Sequence, residues 1–390
     1  MSGWAWMRAT LGVLGGRALW SLLTVAPLCP PAVHVASAHG AHGAHGAHES
    51  GSLVHHSRCA PTLRALTAPT GRIDSVLQMG QGTIVALVGR ATSTVRFLPH
   101  DDLLILPHRS AGLARSGPAV RIVLPAYTTP PGLTVVETGR GSAIALVIDG
   151  TLAVFDAATG RARARVSLGL QALGWPAAVA ASAGGRVYLV GQPRDTYAAV
   201  LEALALDGQG GPRILWRAQL GLTHAGLWTG RASRGRLAVY LPDAHDVGGT
   251  VELLDERRGE VAREVHGEVR GVYALPGPPV AADLASDRIV VQVGAALRAY
   301  TLGEGRPVGA IAGVGPVAVV PARGLVAFIR GDELVLATTR ALLLVARVAL
   351  PGVTALAATA DGAALLVGRR DSLARLGLDG CRGSGRSGGA

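Results

Sequence analysis

The sequence predicts an all-β fold, specifically a seven-bladed β-propeller whose last blade is closed by an N-terminal strand. Three observations predict it: a strand-and-turn motif recurring seven times, short apolar runs punctuated by glycine, and a last repeat one strand short with a spare strand upstream. The composition agrees, since 49% of the 390 residues are hydrophobic, 54 are Gly and only 16% are charged. That balance suits many short strands joined by tight turns and disfavours disorder or long amphipathic helices.

The motif is clearest at residues 151–160 (TLAVFDAATG) and 250–259 (TVELLDERRG). In each, a β-rich run ends in an Asp, and a Gly follows four residues later. The carboxylate of Asp156 or Asp255 can accept backbone N–H groups of the turn, and Gly160 or Gly259 supplies the positive φ that turns the chain back. Weaker copies occupy residues 102–107, 200–208, 296–301 with Gly305, 332–337 and 371–377. Turn positions at 107, 156, 207, 255, 301, 337 and 377 are separated by 49, 51, 48, 46, 36 and 40 residues. Four-stranded propeller blades recur at roughly 40 to 50 residues. A β-sandwich or a pair of smaller β domains is the alternative, and the even spacing disfavours it.

The rest of each blade is legible in places. Between 177 and 220, four β-patterned runs follow one another at 177–182, 186–192, 199–206 and 213–220, separated by Gly, Pro or Asp. Runs 143–148 (AIALVI), 288–293 (RIVVQV) and 325–329 (LVAFI) are almost continuously apolar, as expected of strands buried on both faces between neighbouring blades.

The final repeat offers only three strands, at 353–360, 363–369 and 371–378. The β-compatible segment 61–67 (PTLRALT) has no other assignment and can serve as the fourth, which removes two exposed sheet edges. Cys59 lies just before that segment and Cys381 just after the last strand, where a hairpin turn would otherwise connect the pair. A Cys59–Cys381 disulfide is therefore expected, consistent with an oxidising compartment. Two unrelated cysteines are the alternative.

Upstream, residues 1–38 carry the parts of a secretory signal: Arg8 and Arg17, an apolar run from Ala18 to Leu28, and a small-residue site at Ala36-Ser37-Ala38. Cleavage after Ala38 is expected, with an uncleaved anchor or lipidation at Cys29 as alternatives. The domain plan is then a signal peptide at 1–38, a histidine-rich arm at 39–58, the propeller at 59–381 and a Gly/Ser-rich tail at 382–390. No integral membrane span is expected after cleavage, and the mature chain is read as a secreted or extracytoplasmic monomer.

All 37 basic residues are Arg, and the chain has neither Lys nor Asn. That pattern follows from GC-rich codon usage, and the arginines form no stripe interleaved with stacking aromatics, so nucleic acid is not an expected partner. The net charge is +11, so an anionic cell-surface component remains compatible.

The arm places His39, His42, His45 and His48 at three-residue spacing, with His55 and His56 close behind. Imidazoles on a Gly/Ala chain bind divalent transition metals, copper in preference to zinc, and an N-terminal His39 would add its own amine to a Cu(II) chelate. Such spacing fixes no single geometry and suits sequestration or delivery better than a catalytic centre. A triplet repeat without function is the alternative.

No nucleophile elbow, paired-Cys zinc signature, Walker loop or dinucleotide fingerprint is present. Asp243, His245 and Asp246 form the one compact acid/His group of the repeat region, and solvated turn residues are the competing reading. His224 with Trp228 and the Asp101-Asp102 pair are weaker candidates. The catalytic and cofactor-binding residues are thus unassigned.

The strand, Asp, three residues, Gly and return strand at 156–160 and 255–259 resemble the repeats of YVTN-type and quinoprotein-like bacterial β-propellers. The resemblance spans residues 60–380 as architecture. It implies a central channel, in a family where many members bind partners or cell-surface components and some are cofactor enzymes. Trp216 is nearest to the blade-closing Trp of the quinone dehydrogenases, but without Asn the calcium and quinone contacts expected there are missing. The functional expectation is a non-enzymatic binding or scaffold propeller for a protein or cell-surface partner, with copper or zinc binding by the arm. An extracytoplasmic oxidoreductase or hydrolase with its site at the channel mouth is the alternative.

Overall fold

In the computed structural model the chain divides into two units, residues 1–54 and 55–390, of which the second carries the fold. The structure describes residues 59–382 apart from 68–70, 79–81, 90–100, 108–117, 126, 128–130, 173–178, 182–184, 194–197, 207–210, 222–225, 230–235, 243–248, 256–271, 277–278 and 284–285. The described residues form seven antiparallel sheets, the seven blades of a β-propeller. Strand β1 (Thr62–Thr67), the first among the described residues, belongs to the last blade.

Blade 1 is β2 (Arg72–Gln78), β3 (Ile84–Gly89), β4 (Asp101–Leu106) and β5 (Val120–Val123). Blade 2 is β6 (Gly132–Thr138), β7 (Gly141–Ile148), β8 (Thr151–Asp156) and β9 (Ala162–Ser167). Blade 3 holds β10 (Leu170–Ala172), β11 (Val179–Ala181), β12 (Arg186–Pro193), β13 (Ala199–Ala205) and β14 (Arg213–Gly221). Blade 4 is β15 (Gly226–Thr229), β16 (Arg236–Pro242), β17 (Gly249–Asp255) and β18 (Val272–Leu275). Blade 5 is β19 (Pro279–Asp283), β20 (Arg288–Val293), β21 (Ala296–Thr301) and β22 (Pro307–Ala312). Blade 6 is β23 (Val314–Val320), β24 (Leu325–Arg330), β25 (Glu333–Thr338) and β26 (Leu344–Ala349), with a 3-10 turn at Pro321–Arg323. Blade 7 is β27 (Val353–Ala358), β28 (Ala364–Arg369), β29 (Leu373–Gly377) and β1.

The predicted turn positions fall within two residues of the ends of the seven third strands. Blade 3 departs from expectation in carrying a fifth strand. β12 runs eight residues, one edge of it pairing with β11, and its end at Gly191–Pro193 pairs with the three-residue β10. Such a short segment leaves no period-2 signature.

Seven apolar clusters make the core, and each is shared by two consecutive blades. The alternation of side chains along a strand explains why the second strands read as continuous apolar runs. In β3, Ile84, Ala86 and Val88 pack against blade 7 while Val85 and Leu87 pack against blade 2. In β24, Val326 and Phe328 face blade 5 while Leu325 and Ala327 face blade 7. Every second strand is thus glue on both faces, and truncating one such Leu to Ala should cost about 2–5 kcal/mol. The first strands neighbour one another around the ring, β27 touching both β23 and β2.

The Asp-to-Gly turn takes the expected form in blade 2. Asp156 Oδ1 accepts the Ala158 and Thr159 amides at 3.0 and 2.8 Å, and the Gly160 amide bonds to the Asp156 carbonyl at 2.8 Å. Gly160 has φ +69°, and a Cβ there would lie 2.5 Å from Val120 Cγ1. Thr301 and Thr338 stand at the same place in blades 5 and 6 but brace the turn differently, their hydroxyls accepting amides five residues on, those of Arg306 and Leu343, at 3.0 and 3.1 Å. In the second sequence copy, 250–259, the strand up to Asp255 lies in β17, and the turn at 256–259 lies outside the described residues.

β1 pairs antiparallel with β29, as the strand count predicts, and Cys59 and Cys381 are joined by a disulfide across 322 positions.

Candidate functional site

Antiparallel pairing brings the starts of the first and third strands and the ends of the second and fourth to one end of each blade. In blade 1 this places Asp74, Asp101 and Asp102 near the same end. Gly89 closes β3 opposite Arg72 and Asp101, and a Cβ there would lie 2.7 Å from Asp74 Oδ2 and 3.6 Å from Asp101 Oδ1. The glycine makes room for the two acids.

Each carboxylate of this group has company. Arg72 Nε lies 2.9 Å from Asp74 Oδ1, and Arg121 Nε lies 2.5 Å from Asp102 Oδ2. Asp101 and Asp102 are both buried, and the Tyr127 hydroxyl donates to the Asp101 carboxylate. Burial and the charges of Asp101 and Asp74 push the Tyr127 phenol above its ordinary value. Burial also raises the Asp74 carboxyl, with Arg72 opposing it. A phenol raised in this way stays protonated near neutrality and serves as a hydrogen-bond donor to Asp101.

The rim of the ring has a different electrostatic character. The outer strands β1, β5, β9, β14 and β26 carry Arg64, Arg121, Arg163, Arg165, Arg213, Arg217 and Arg347, and no outer strand contains an Asp or Glu. Third strands hold the acids that answer some of them: Asp102 with Arg121, Asp156 with Arg163, and Glu202 with Arg217. Glu202 is fully buried, and its second carboxylate oxygen has no hydrogen-bond partner among the described residues. Exposed aliphatics lie on or beside the same outer strands, among them Leu63, Val123, Ile214 and Leu343. Charged edge strands oppose edge-to-edge association, and they leave a basic, partly apolar circumference facing solvent.

The closure of the ring is the third notable feature. Cys381 is fully buried in the cluster between blades 6 and 7, with half-buried Cys59 packed beside it. Arg323 reaches across from the 3-10 turn of blade 6, donating to the carbonyls of Gly362, Leu378 and Cys381 at 2.7, 2.6 and 3.0 Å.

The histidines singled out in the sequence, His39, His42, His45, His48, His55 and His56, lie outside the described residues. So do Asp243, His245, Asp246 and His224, while Trp228 lies on β15. The flanking Pro242 and Gly249 pair across β16 and β17 at the blade end that corresponds to Asp101 in blade 1. Trp216 on β14 packs against Tyr188 with ring centroids 5.9 Å apart, as part of the interface between blades 3 and 4. Among the described residues no group of three His, Cys, Asp or Glu side chains could hold a metal ion. No described helix is long and apolar enough to cross a membrane. Sequence reasoning missed Tyr127 and Arg323, which sit in connections whose side chains carry no periodic signal.

No protein family and no curated protein matches the chain. Among solved structures it is similar to a chain of the "Crystal Structure of Mitotic Checkpoint Complex", with 12% identity, coverage of 81% of this chain and 93% of that chain, and a TM-score of 0.49. It is also similar to the computationally designed Ika8 protein, at 11% identity, 80% and 98% coverage and a TM-score of 0.43. Neither likeness carries an argument about what this protein binds.

Proposed function

We propose that the protein is an exported, non-enzymatic β-propeller that presents a rigid ring to a protein or cell-surface partner, with the histidine arm as a copper- or zinc-binding appendage. The observation that carries the reading is the covalently closed ring. Its apolar faces are used in blade-to-blade packing, and its solvent-facing rim is basic with scattered aliphatics, a surface suited to recognition. The disulfide suits an oxidising compartment, and the resemblance to exported bacterial propellers points the same way.

Two measurements test this. Fractionation of cells expressing the full chain should recover it outside the cytoplasm with its N-terminus at His39; intact precursor retained in the cytoplasm would overturn export. Isothermal titration with Cu(II) and Zn(II) should show binding that disappears on deleting residues 39–56. Unchanged binding in the deletion, or none in the parent, would remove the metal role.

A further inference from the structure

The two sides of the Cys59–Cys381 bond are held unequally. On the C-terminal side, buried Cys381 is anchored by core packing and by the Arg323 hydrogen bonds to Leu378 and Cys381. On the N-terminal side, β1 is an edge strand that pairs with β29 alone, and Thr62, Leu63, Arg64 and Ala65 are exposed. Among the described side chains of β1, Leu66 is the one packed on an apolar cluster.

β1 is also mismatched in charge with its partner strand. Arg64 stands directly opposite Arg375, and like charges in that position are destabilising. Arg375 Nε is buried and lacks a hydrogen-bond partner among the described residues, although the guanidinium charge also acts on the Asp361 carboxyl in the turn after β27. The ring meanwhile closes without β1, through the apolar cluster between blades 7 and 1 and two polar bridges. The Thr354 hydroxyl donates to the Ile73 carbonyl at 2.6 Å, and the Ala360 amide to Gln78 Oε1 at 3.2 Å.

We propose that the outer edge of β29 is a strand-acceptor site kept filled by β1 through the Cys59–Cys381 bond. Once a dithiol reductant opens that bond, the site takes an extended partner segment with a carboxylate opposite Arg375. The backbone of such a segment repeats the ladder that β1 makes, and its carboxylate replaces a repulsion with a charge-assisted hydrogen bond.

In the opening step, a reductant thiolate attacks Sγ of half-buried Cys59, and Cys381 leaves as a thiolate that takes up a proton. The reductant's second thiol then displaces Cys59. Two electrons and two protons pass to the protein, and the reductant departs as its own disulfide.

The full chain carrying C59S tests both halves. Hydrogen exchange should show the amides of 62–67 losing at least about tenfold in protection, while β27, β28 and blades 1 to 6 keep theirs. Unchanged protection of β1, or loss across the whole of blade 7, would overturn the release. The same protein, held in a glutathione redox buffer, is then offered equal amounts of two peptides of residues 59–68, one native and one carrying R64E. Both compete with the same resident strand, so the ratio of adducts at Cys381 by mass spectrometry reports the preference of the site. The R64E peptide should be captured about three- to tenfold more, and R375Q in the protein should abolish the difference. No capture at Cys381, or equal capture of the two peptides, would refute the acceptor site.

Discussion

Blades 6 and 7 have the same four-stranded pattern but obtain their outer strands by opposite routes. In blade 6, β25 passes to β26 through a short turn in which the Thr338 hydroxyl and carbonyl accept the Leu343 and Leu342 amides at 3.1 and 2.9 Å. In blade 7 the outer strand comes from the other end of the chain, so no turn can hold it. A disulfide and a hydrogen bond from the Ala60 amide to the Asp379 carbonyl at 3.4 Å stand in that place, and Arg323 anchors the C-terminal side of the junction. The difference shows what a hairpin normally supplies: it removes the entropic cost of bringing the last strand home, and its absence needs a covalent or charged substitute.

Breaking that substitute should have the largest effect. The double variant C59S/C381S closes no loop of 322 residues in the unfolded state, and it should lose about 4–5 kcal/mol in urea unfolding while blades 1 to 6 keep their strands. Arg323→Ala leaves three carbonyls without their cationic donor and should cost about 2–3 kcal/mol by the same assay. No comparable Arg bridges the turn of blade 6, so Arg340→Ala should be neutral within about 0.5 kcal/mol.

Within the covalent turns, Gly160→Ala sharpens the comparison further. It forces a side chain into a left-handed position against Val120 Cγ1, and the expected loss is about 1–2 kcal/mol in thermal or chemical unfolding.

The smallest effect is pH-dependent. Burial alone would raise the Asp156 carboxyl, but hydrogen bonds from Arg163 and from the Thr159 amide and hydroxyl outweigh it and bring it down to about 2 from its ordinary 3.8. A depressed folded-state pKa gives stability that is fully present above the unfolded value and is lost as pH falls through the folded one. Wild-type stability should therefore include a slope between pH about 4 and pH about 2 that D156N lacks, with a loss of about 0.5 kcal/mol in the variant at neutral pH.

The ring was legible because its determinants are local and repeated. The Asp and Gly of 156–160 have turn chemistry readable from type alone, and runs such as 325–329 announce burial on both faces. The closure was legible through arithmetic, a missing fourth strand after Leu378 and a spare one at 61–67, each next to a cysteine. β10 was not legible, because its three residues make sense only against the overlong β12. Arg323 and Tyr127 were hidden for a related reason: their partners, Leu378 and Asp101, are distant in sequence, and nothing in the segment around either residue names them. The pairing of third-strand acids with outer-strand arginines needs the register before it can be seen, since Glu202 and Arg217 acquire meaning only as cross-strand neighbours.

Strand β1 completes the last blade and is bolted there by the Cys59–Cys381 bond. Peptide mapping of the purified protein under non-reducing conditions tests it most directly. One cross-linked species should join the peptides that contain Cys59 and Cys381, with neither thiol open to alkylation. Two free thiols at these positions, or either cysteine bonded elsewhere, would contradict it.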